Sequence, residues 1–269
     1  METPFAPFRR ALARIALASL IPLPSLTNGA ETLSRFVPIQ GGTFYRGAPA
    51  AGRERVQLRV EDFEILDHPV TNAEYRQFVA ATGHPPPPHW IDGQIPAGKD
   101  GHPVIFVNRA DVRRFLEWLS AKDGRICRLP TSAEFEYAAS GGPADRIFPW
   151  GSEPPAGRAN YDPKGDRPFN RWQDFLQPAA ALQPNAFGLH GMSGNVWQMV
   201  ITRADPAIAT FRYRIDDPPL LESAVMGGSW ARTVDYLRRG ATEGVGPGIR
   251  YPDAGFRPVR APAGADWRV

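Results

Sequence analysis

Residues 128–139 read RLPTSAEFEYAA, and this stretch places the central helix of the predicted fold. Thr131 followed by Glu134 is typical of a capping box, in which two side chains satisfy backbone N–H groups at a helix start. The same signal, a polar cap with an acid three residues later, begins at Thr71 and at Asn108. Glycines at 83 and 124 end those two helices. The sequence therefore predicts helices over 71–83 and 108–124, and a shorter one from Thr131.

Short strands are predicted on either side of these helices. Apolar and polar residues alternate over 56–60, and short apolar runs occupy 35–39, 43–46 and 63–66. Residues 225–230 and 255–259 are predicted to be closing strands. From 141 to 217 Gly, Pro, Asn and Asp are frequent, which predicts long loops. The pattern indicates an α+β domain with little regular secondary structure.

Composition excludes several classes of protein. The chain has 29 prolines and 26 glycines in 269 residues, which argues against a helix bundle. The net charge is only +3, and no basic run interleaved with aromatic residues occurs, so we predict no nucleic-acid partner. No later stretch is apolar enough for a membrane span. Cys127 is the only cysteine, so the chain has no internal disulfide.

The first thirty residues have the order of an export signal. Arginines at 9, 10 and 14 precede an apolar stretch over 15–26, and Ala30 follows as a small residue at which cleavage could occur. The arginine pair weakly suggests the twin-arginine route. The alternative is a disordered or amphipathic leader. We therefore predict an export signal over 1–30, a single domain over 31–269, and a periplasmic or secreted protein.

Seven motifs occur in an order that resembles the formylglycine-generating-enzyme, or sulfatase-modifying-factor, family. They are PIQGGTFYRG (38–47), HPVTNAEYRQFVAATG (68–83), the block over 102–142, FPWG (148–151), PNAFGLHGMSGNVWQM (184–199), GGSW (227–230) and GFRPVR (255–260). The resemblance covers nearly all of the chain after residue 35. It implies the family's C-type-lectin-like α+β fold.

One departure concerns the chemistry that names this family. Members that generate formylglycine carry two cysteines between the GGSW and GFR motifs, where soft thiolates bind copper(I). Residues 231–254 of this chain contain no cysteine. We therefore predict no copper site and no formylglycine generation.

The resemblance also implies calcium in the long loops, where hard oxygen ligands suit that ion. Matched position by position, Asn160, Tyr161 and Asp174 would form one site, and Asn195 with Val196 a second. In the second site Gln198 stands where the family usually has an acid. The alternative for Asn195 is a turn residue that bonds to its own backbone.

Glu243 is the candidate catalytic residue, because the resemblance places its carboxylate near the family's cleft. A partly desolvated carboxylate could act as a general base on an acidic C–H or a phenol. The alternative is an exposed loop acid. The surrounding candidates for substrate binding are Trp230, Arg232, Tyr236, Arg238 and Arg239. The guanidinium groups of Arg232, Arg238 and Arg239 would orient an anionic ligand.

Three functions fit these observations. The first is an exported maturation oxidoreductase that acts on a peptidic substrate such as a siderophore precursor, similar to the family's members in pyoverdine maturation. The second is a non-catalytic paralogue that binds a peptide or a partner protein. The third is a lectin-like module for glycans. Fold alone does not distinguish them.

Overall fold

The computed structural model describes Met1 and residues 35–47, 56–202 and 223–264. The export signal predicted for 1–30 lies outside this part of the chain, except for Met1. Within the described ranges, no helix has the length and apolar character that crossing a bilayer requires.

The three predicted helices are confirmed: α1 spans Asn72–Thr82, α2 Arg109–Asp123 and α3 Ser132–Ser140. Each begins with a capping box in which the cap side chain and the acid three residues later exchange hydrogen bonds with backbone N–H groups. Each ends at a glycine in the left-handed conformation, with φ of 69° at Gly83, 70° at Gly124 and 69° at Gly141. A short fourth helix, α4 (Trp172–Phe175), follows a 3₁₀ turn at Phe169–Arg171.

The early strands form one four-stranded antiparallel sheet and a separate hairpin. The sheet order is β1 (Phe36–Ile39), β4 (Phe63–Leu66), β10 (Val259–Arg260) and β5 (Cys127–Arg128), and the hairpin pairs β2 (Gly42–Tyr45) with β3 (Gln57–Val60). These strands confirm the α+β class.

A second four-stranded sheet carries part of the candidate functional site. Its order is β8 (Thr242–Gly244), β7 (Ser223–Met226), β6 (Trp197–Ile201) and β9 (Ala254–Gly255). Strand β9 runs parallel to β6, and the other pairs are antiparallel.

The structure corrects both predicted closing strands. The strand expected over 225–230 ends at Met226, because Gly227 and Gly228 adopt φ of 96° and 73° and turn the chain out of the sheet. The strand expected over 255–259 is divided between β9 in one sheet and β10 in the other. Pro258, which has no N–H to donate, lies in the crossing between them.

Three apolar clusters form the core. The first packs α1 and α2 together, with the rings of Tyr75 and Phe115 stacked 5.6 Å apart. The second lies between α3 and the first sheet, around Ile65 and Phe135. The third is small and centres on Trp230, which is 0% exposed. This third cluster lies directly beneath the candidate site.

Arg257 connects the two large sheets from inside the core and is 0% exposed. Its Nε donates to Gln198 Oε1 on β6 at 2.8 Å, and its Nη1 donates to the carbonyl of Leu66 on β4 at 3.0 Å. Its Nη2 donates to the carbonyl of His190. Gln198 Nε2 in turn donates to the carbonyl of Gly191 at 2.7 Å. Burial lowers the pKa of Arg257 to about 9, so the side chain stays charged at neutral pH.

We expect Arg257→Met to lower the free energy of unfolding by about 3–5 kcal/mol, because several buried acceptors lose their donor together. Urea unfolding followed by circular dichroism measures this loss. Arg76→Met is the matched control: Arg76 is 49% exposed and pairs with Asp100 at 3.0 Å, so its loss should cost about 0.5 kcal/mol or less. Equal urea midpoints for the two variants would show that the Arg257 network does not hold the sheets together.

Candidate functional site

Arg232 and Glu243 form a two-pronged ion pair at the edge of the second sheet. Arg232 Nε donates to Glu243 Oε2 at 2.9 Å, and Arg232 Nη2 donates to Oε1 at 2.7 Å. Glu243 sits in the middle of the edge strand β8, opposite Val225 of β7. The Arg232 side chain is 22% exposed and that of Glu243 is 33% exposed. The pair is therefore held firmly, but solvent or a ligand can reach it.

A buried carboxylate lies behind this pair. Asp253 is 1% exposed, its Oδ2 is 4.0 Å from Arg232 Nη1, and it accepts a hydrogen bond from Ser229 Oγ at 2.7 Å. Burial raises the pKa of Asp253, although the Ser229 hydroxyl and the Arg232 charge act in the opposite direction. Arg232 therefore has one partly exposed and one buried carboxylate as neighbours. We call Ser229, Arg232, Glu243 and Asp253 the Arg232 centre.

Aromatic rings and a backbone bond position Arg232. Its guanidinium carbon lies 5.2 Å from the ring centre of Phe169 and 5.8 Å from that of Tyr236. Its carbonyl accepts a hydrogen bond from the N–H of Asp162 at 2.8 Å. The ring of Tyr236 in turn stands edge-on to buried Trp197, at 5.8 Å. Ionic, aromatic and backbone contacts together restrict this guanidinium to one orientation.

The structure brings together only some of the predicted binding residues. Arg232, Tyr236 and Glu243 share one partly exposed cluster. Trp230 lies beneath it, with its ring stacked on Phe175 at 5.6 Å and fully covered. Arg238 points elsewhere, 47% exposed and 3.6 Å from Asp235.

Arg239 lies in a separate buried cluster. Its side chain is 1% exposed, and its Nη2 donates to Asp145 Oδ1 at 2.9 Å and to the carbonyl of Gly47. Glu136 Oε1 is 3.7 Å from its Nε, and burial raises the pKa of Glu136. Arg239 therefore stabilises the packing of this buried cluster, and its guanidinium group is not exposed to solvent.

The predicted calcium ligands are only partly brought together. Asn160 Nδ2 donates to Asn195 Oδ1 at 3.0 Å, and Asn195, whose φ is 67°, bonds to the backbone of Gln177 through both ends of its amide. Arg167 Nη1 donates to Asn160 Oδ1 at 3.1 Å and to the carbonyl of Trp230 at 3.0 Å. A guanidinium thus contacts the amide oxygen proposed as a calcium ligand.

The other predicted ligands lie around this cluster. The Asp174 carboxylate accepts from Arg171 Nε at 2.5 Å and is 44% exposed. Tyr161 and Val196 directly follow the two asparagines in the chain. Calcium binding stays a prediction, which metal analysis of the purified chain by mass spectrometry tests.

The chain's one cysteine is not part of the Arg232 centre. Cys127 is buried in β5, and burial raises the pKa of its thiol to about 12. Among the residues that the structure describes, no group of three or more His, Cys, Asp or Glu side chains is arranged to hold a metal ion.

Sequence reasoning missed three residues of this site: Ser229, Asp253 and Phe169. Ser229 belongs to the GGSW motif, of which only Trp230 was predicted to be part of the site. Asp253 directly precedes the AGFR run, and that position was the only signal for it. Phe169 lies in the long loop region, 63 residues before Arg232, where no periodic pattern occurs.

Comparison with known proteins agrees with the fold and with the motifs. The profile of the sulfatase-modifying factor enzyme 1-like domain matches residues 24–262. Mouse formylglycine-generating enzyme is 28% identical in an alignment 242 positions long, which covers 65% of this chain and 60% of that protein. The chain thus spans 60% of the length of this relative. The formylglycine-generating enzyme of Mycobacterium tuberculosis is 28% identical in an alignment 288 positions long, which covers 77% of this chain and 90% of that protein.

A solved structure shows the same arrangement of elements. PvdO from Pseudomonas aeruginosa superposes with a TM-score of 0.65 at 26% identity, covering 85% of this chain and 95% of that one. Fold and site together define a loop-rich α+β domain in which the segment between the GGSW and GFR motifs carries an arginine–carboxylate centre. The chain belongs to the sulfatase-modifying factor family and lacks the cysteine pair of its formylglycine-generating members.

We expect Arg167→Met to lower the free energy of unfolding by about 2–3 kcal/mol, because Asn160 Oδ1 and the Trp230 carbonyl lose a charged donor. Thermal and urea unfolding measure the change. Arg158→Met is the control, since Arg158 is exposed and only nine residues away in the chain. If both variants unfold alike, Arg167 does not stabilise the loops around Trp230.

Proposed function

We propose that this protein is a maturation oxidoreductase that acts on a peptidic substrate, such as a siderophore precursor, at the Arg232 centre. One observation carries the proposal: the family fold is kept, while the segment that holds the cysteines in formylglycine-generating members here holds a partly exposed Arg232–Glu243 pair. The similarity to PvdO, together with the resemblance to pyoverdine maturation seen in the sequence, supports a peptidic siderophore precursor as the substrate class.

The geometry supports a proton-transfer role for Glu243. When Glu243 takes a proton from an acidic C–H or a phenol of the substrate, its charge is lost and its pairing with Arg232 weakens. The Arg232 guanidinium is then available for the anion that forms on the substrate. One ion pair replaces another beside a cation that stays in place, so little reorganisation is needed.

The oxidation itself requires an electron acceptor, for which we propose dioxygen. The substrate loses two electrons and two protons as a new double bond forms, and dioxygen takes up both and becomes hydrogen peroxide. Copper is not part of this proposal. We also propose that the protein works in the periplasm or outside the cell, because residues 1–30 have the order of an export signal.

We expect Glu243→Gln to slow turnover by at least about 10²-fold, because the amide cannot accept the proton. The assay uses a synthetic peptide that bears a reduced phenolic chromophore, and measures hydrogen peroxide together with the mass loss of two hydrogens. Glu61→Gln is the matched control: its carboxylate is 60% exposed and pairs with exposed Arg59, so turnover should not change.

Other outcomes would favour the other two functions. Saturable peptide binding without peroxide or mass change would replace the oxidoreductase with a non-catalytic peptide-binding protein. Displacement of that peptide by glycans would favour the lectin-like module. Equal turnover by wild type and Glu243→Gln would remove Glu243 from the mechanism.

A further inference from the structure

A cavity of about 240 Å³ lies under the proline-rich loop. Its walls are formed by the prolines at 85–88, together with Tyr75, Val107, Asp111 and Arg250. None of these residues belongs to the Arg232 centre or to the predicted calcium ligands. The cavity is therefore a separate feature of the molecule.

Tyr75 is the most informative residue of the wall. It is 1% exposed, and its ring is covered by Phe115 at 5.6 Å, by Phe78 at 5.2 Å and by Phe256 at 6.5 Å. Tyr75 lines the cavity, and its hydroxyl is the one polar group of its side chain. Within the described part of the chain, this hydroxyl has no hydrogen-bond partner.

The Tyr75 hydroxyl is a donor that needs an acceptor. Burial, followed by the negative charge of Asp111, raises the pKa of Tyr75, so its proton is retained at physiological pH. A ligand oxygen in the cavity would give this donor an acceptor.

Arg250 supplies a second donor on the same wall. Its Nε and Nη2 each donate to Asp111 at 3.0 Å, and its Nη1 has no partner among the described residues. The acceptors of Asp111 are already used, because it also accepts from the N–H of Asn108 at 2.9 Å and lies 3.1 Å from His84 Nε2. The Tyr75 hydroxyl and Arg250 Nη1 are thus two donors of the cavity wall that have no protein partner among the described residues.

The rest of the wall is apolar. Proline rings and the Val107 side chain surround the space, which is slightly smaller than the range of roughly 300–1,000 Å³ usual for pockets that hold drug-sized ligands. An apolar body of about one ring fits such a volume, and a folded peptide segment does not.

We infer that this cavity binds a small carboxylic acid with an apolar body. One carboxylate oxygen would accept from the Tyr75 hydroxyl and the other from Arg250 Nη1, while the body packs against the proline rings. A carboxylate supplies one acceptor oxygen for each of these two donors, and its charge is opposite to that of Arg250. The inference does not depend on the proposed oxidoreductase activity.

Benzoate is a suitable probe, and benzyl alcohol is its uncharged counterpart with the same ring. Both are titrated into the full chain and followed by ligand-observed NMR and calorimetry. We expect saturable benzoate binding, with benzyl alcohol weaker by at least tenfold. Tyr75→Phe should raise the Kd of benzoate roughly five- to tenfold, which is the effect of losing one hydrogen bond.

Two further variants make the result decisive. Arg250→Gln should weaken the binding of benzoate but leave the binding of benzyl alcohol unchanged. Because the Arg250 side chain is 41% exposed, we expect this variant to fold. Tyr45→Phe, on the hairpin strand β2 and 43% exposed, is the control that should bind benzoate as the wild type does. Glu243→Gln should also bind normally, which separates this site from the Arg232 centre.

The inference would be overturned by any of three results: no saturable benzoate binding, equal binding of benzoate and benzyl alcohol, or an unchanged benzoate Kd in Tyr75→Phe. Circular dichroism checks that each variant is folded. If Tyr75→Phe does not fold, the ratio of benzoate to benzyl alcohol binding in Arg250→Gln decides the question.

Discussion

The buried Arg257 guanidinium is the interaction on which the rest of the structure depends. It satisfies acceptors on β4, on β6 and in the loop at His190, and so ties the early strand β4 to a segment that lies more than a hundred residues later in the chain. A fold with short strands and long loops has few ladder hydrogen bonds to hold its sheets in place. A buried guanidinium group can replace many of them, because it is planar and each of its hydrogen bonds fixes both a distance and a direction. The cost of burying the charge is offset only while all of its partners are present.

This constraint also places the candidate site. Asp253 and Ala254 immediately precede the GFR motif, and β9 is held beside β6, so Asp253 has a fixed position next to Ser229. Arg232 is then held between the buried carboxylate of Asp253 and the exposed one of Glu243. A guanidinium with one permanent and one accessible partner can exchange the accessible one for a substrate anion without losing its orientation.

The helices could be predicted from sequence because their signals are local. A cap, an acid three residues later and a terminal glycine all act within one turn, and all three helices began and ended where those residues stand. Strand β6 was missed because all five of its residues are buried, so WQMVI shows no alternation and lies among turn residues. The binding residues were only partly predicted, since Arg238 and Arg239 are neighbours in sequence but have opposite environments. Which of two adjacent loop side chains faces the core depends on tertiary contacts that no local pattern reports.

One strained residue, Phe106, lies between the Trp230 cluster and the cavity under the proline loop. Phe106, a bulky residue, has φ of 56°, a conformation that costs on the order of 1–3 kcal/mol, and its N–H donates to the carbonyl of Tyr251 at 3.0 Å. The residue before it, Ile105, packs in the Trp230 cluster, and the residue after it, Val107, lines the cavity. The segment that carries Glu243 also carries Arg250, and the N–H of Arg109 donates to its Pro247 carbonyl at 3.3 Å. Strain at Phe106 persists because packing on both of its sides requires that turn. The same short stretch of backbone therefore contributes Ile105 to the Trp230 cluster and Val107 to the wall of the cavity.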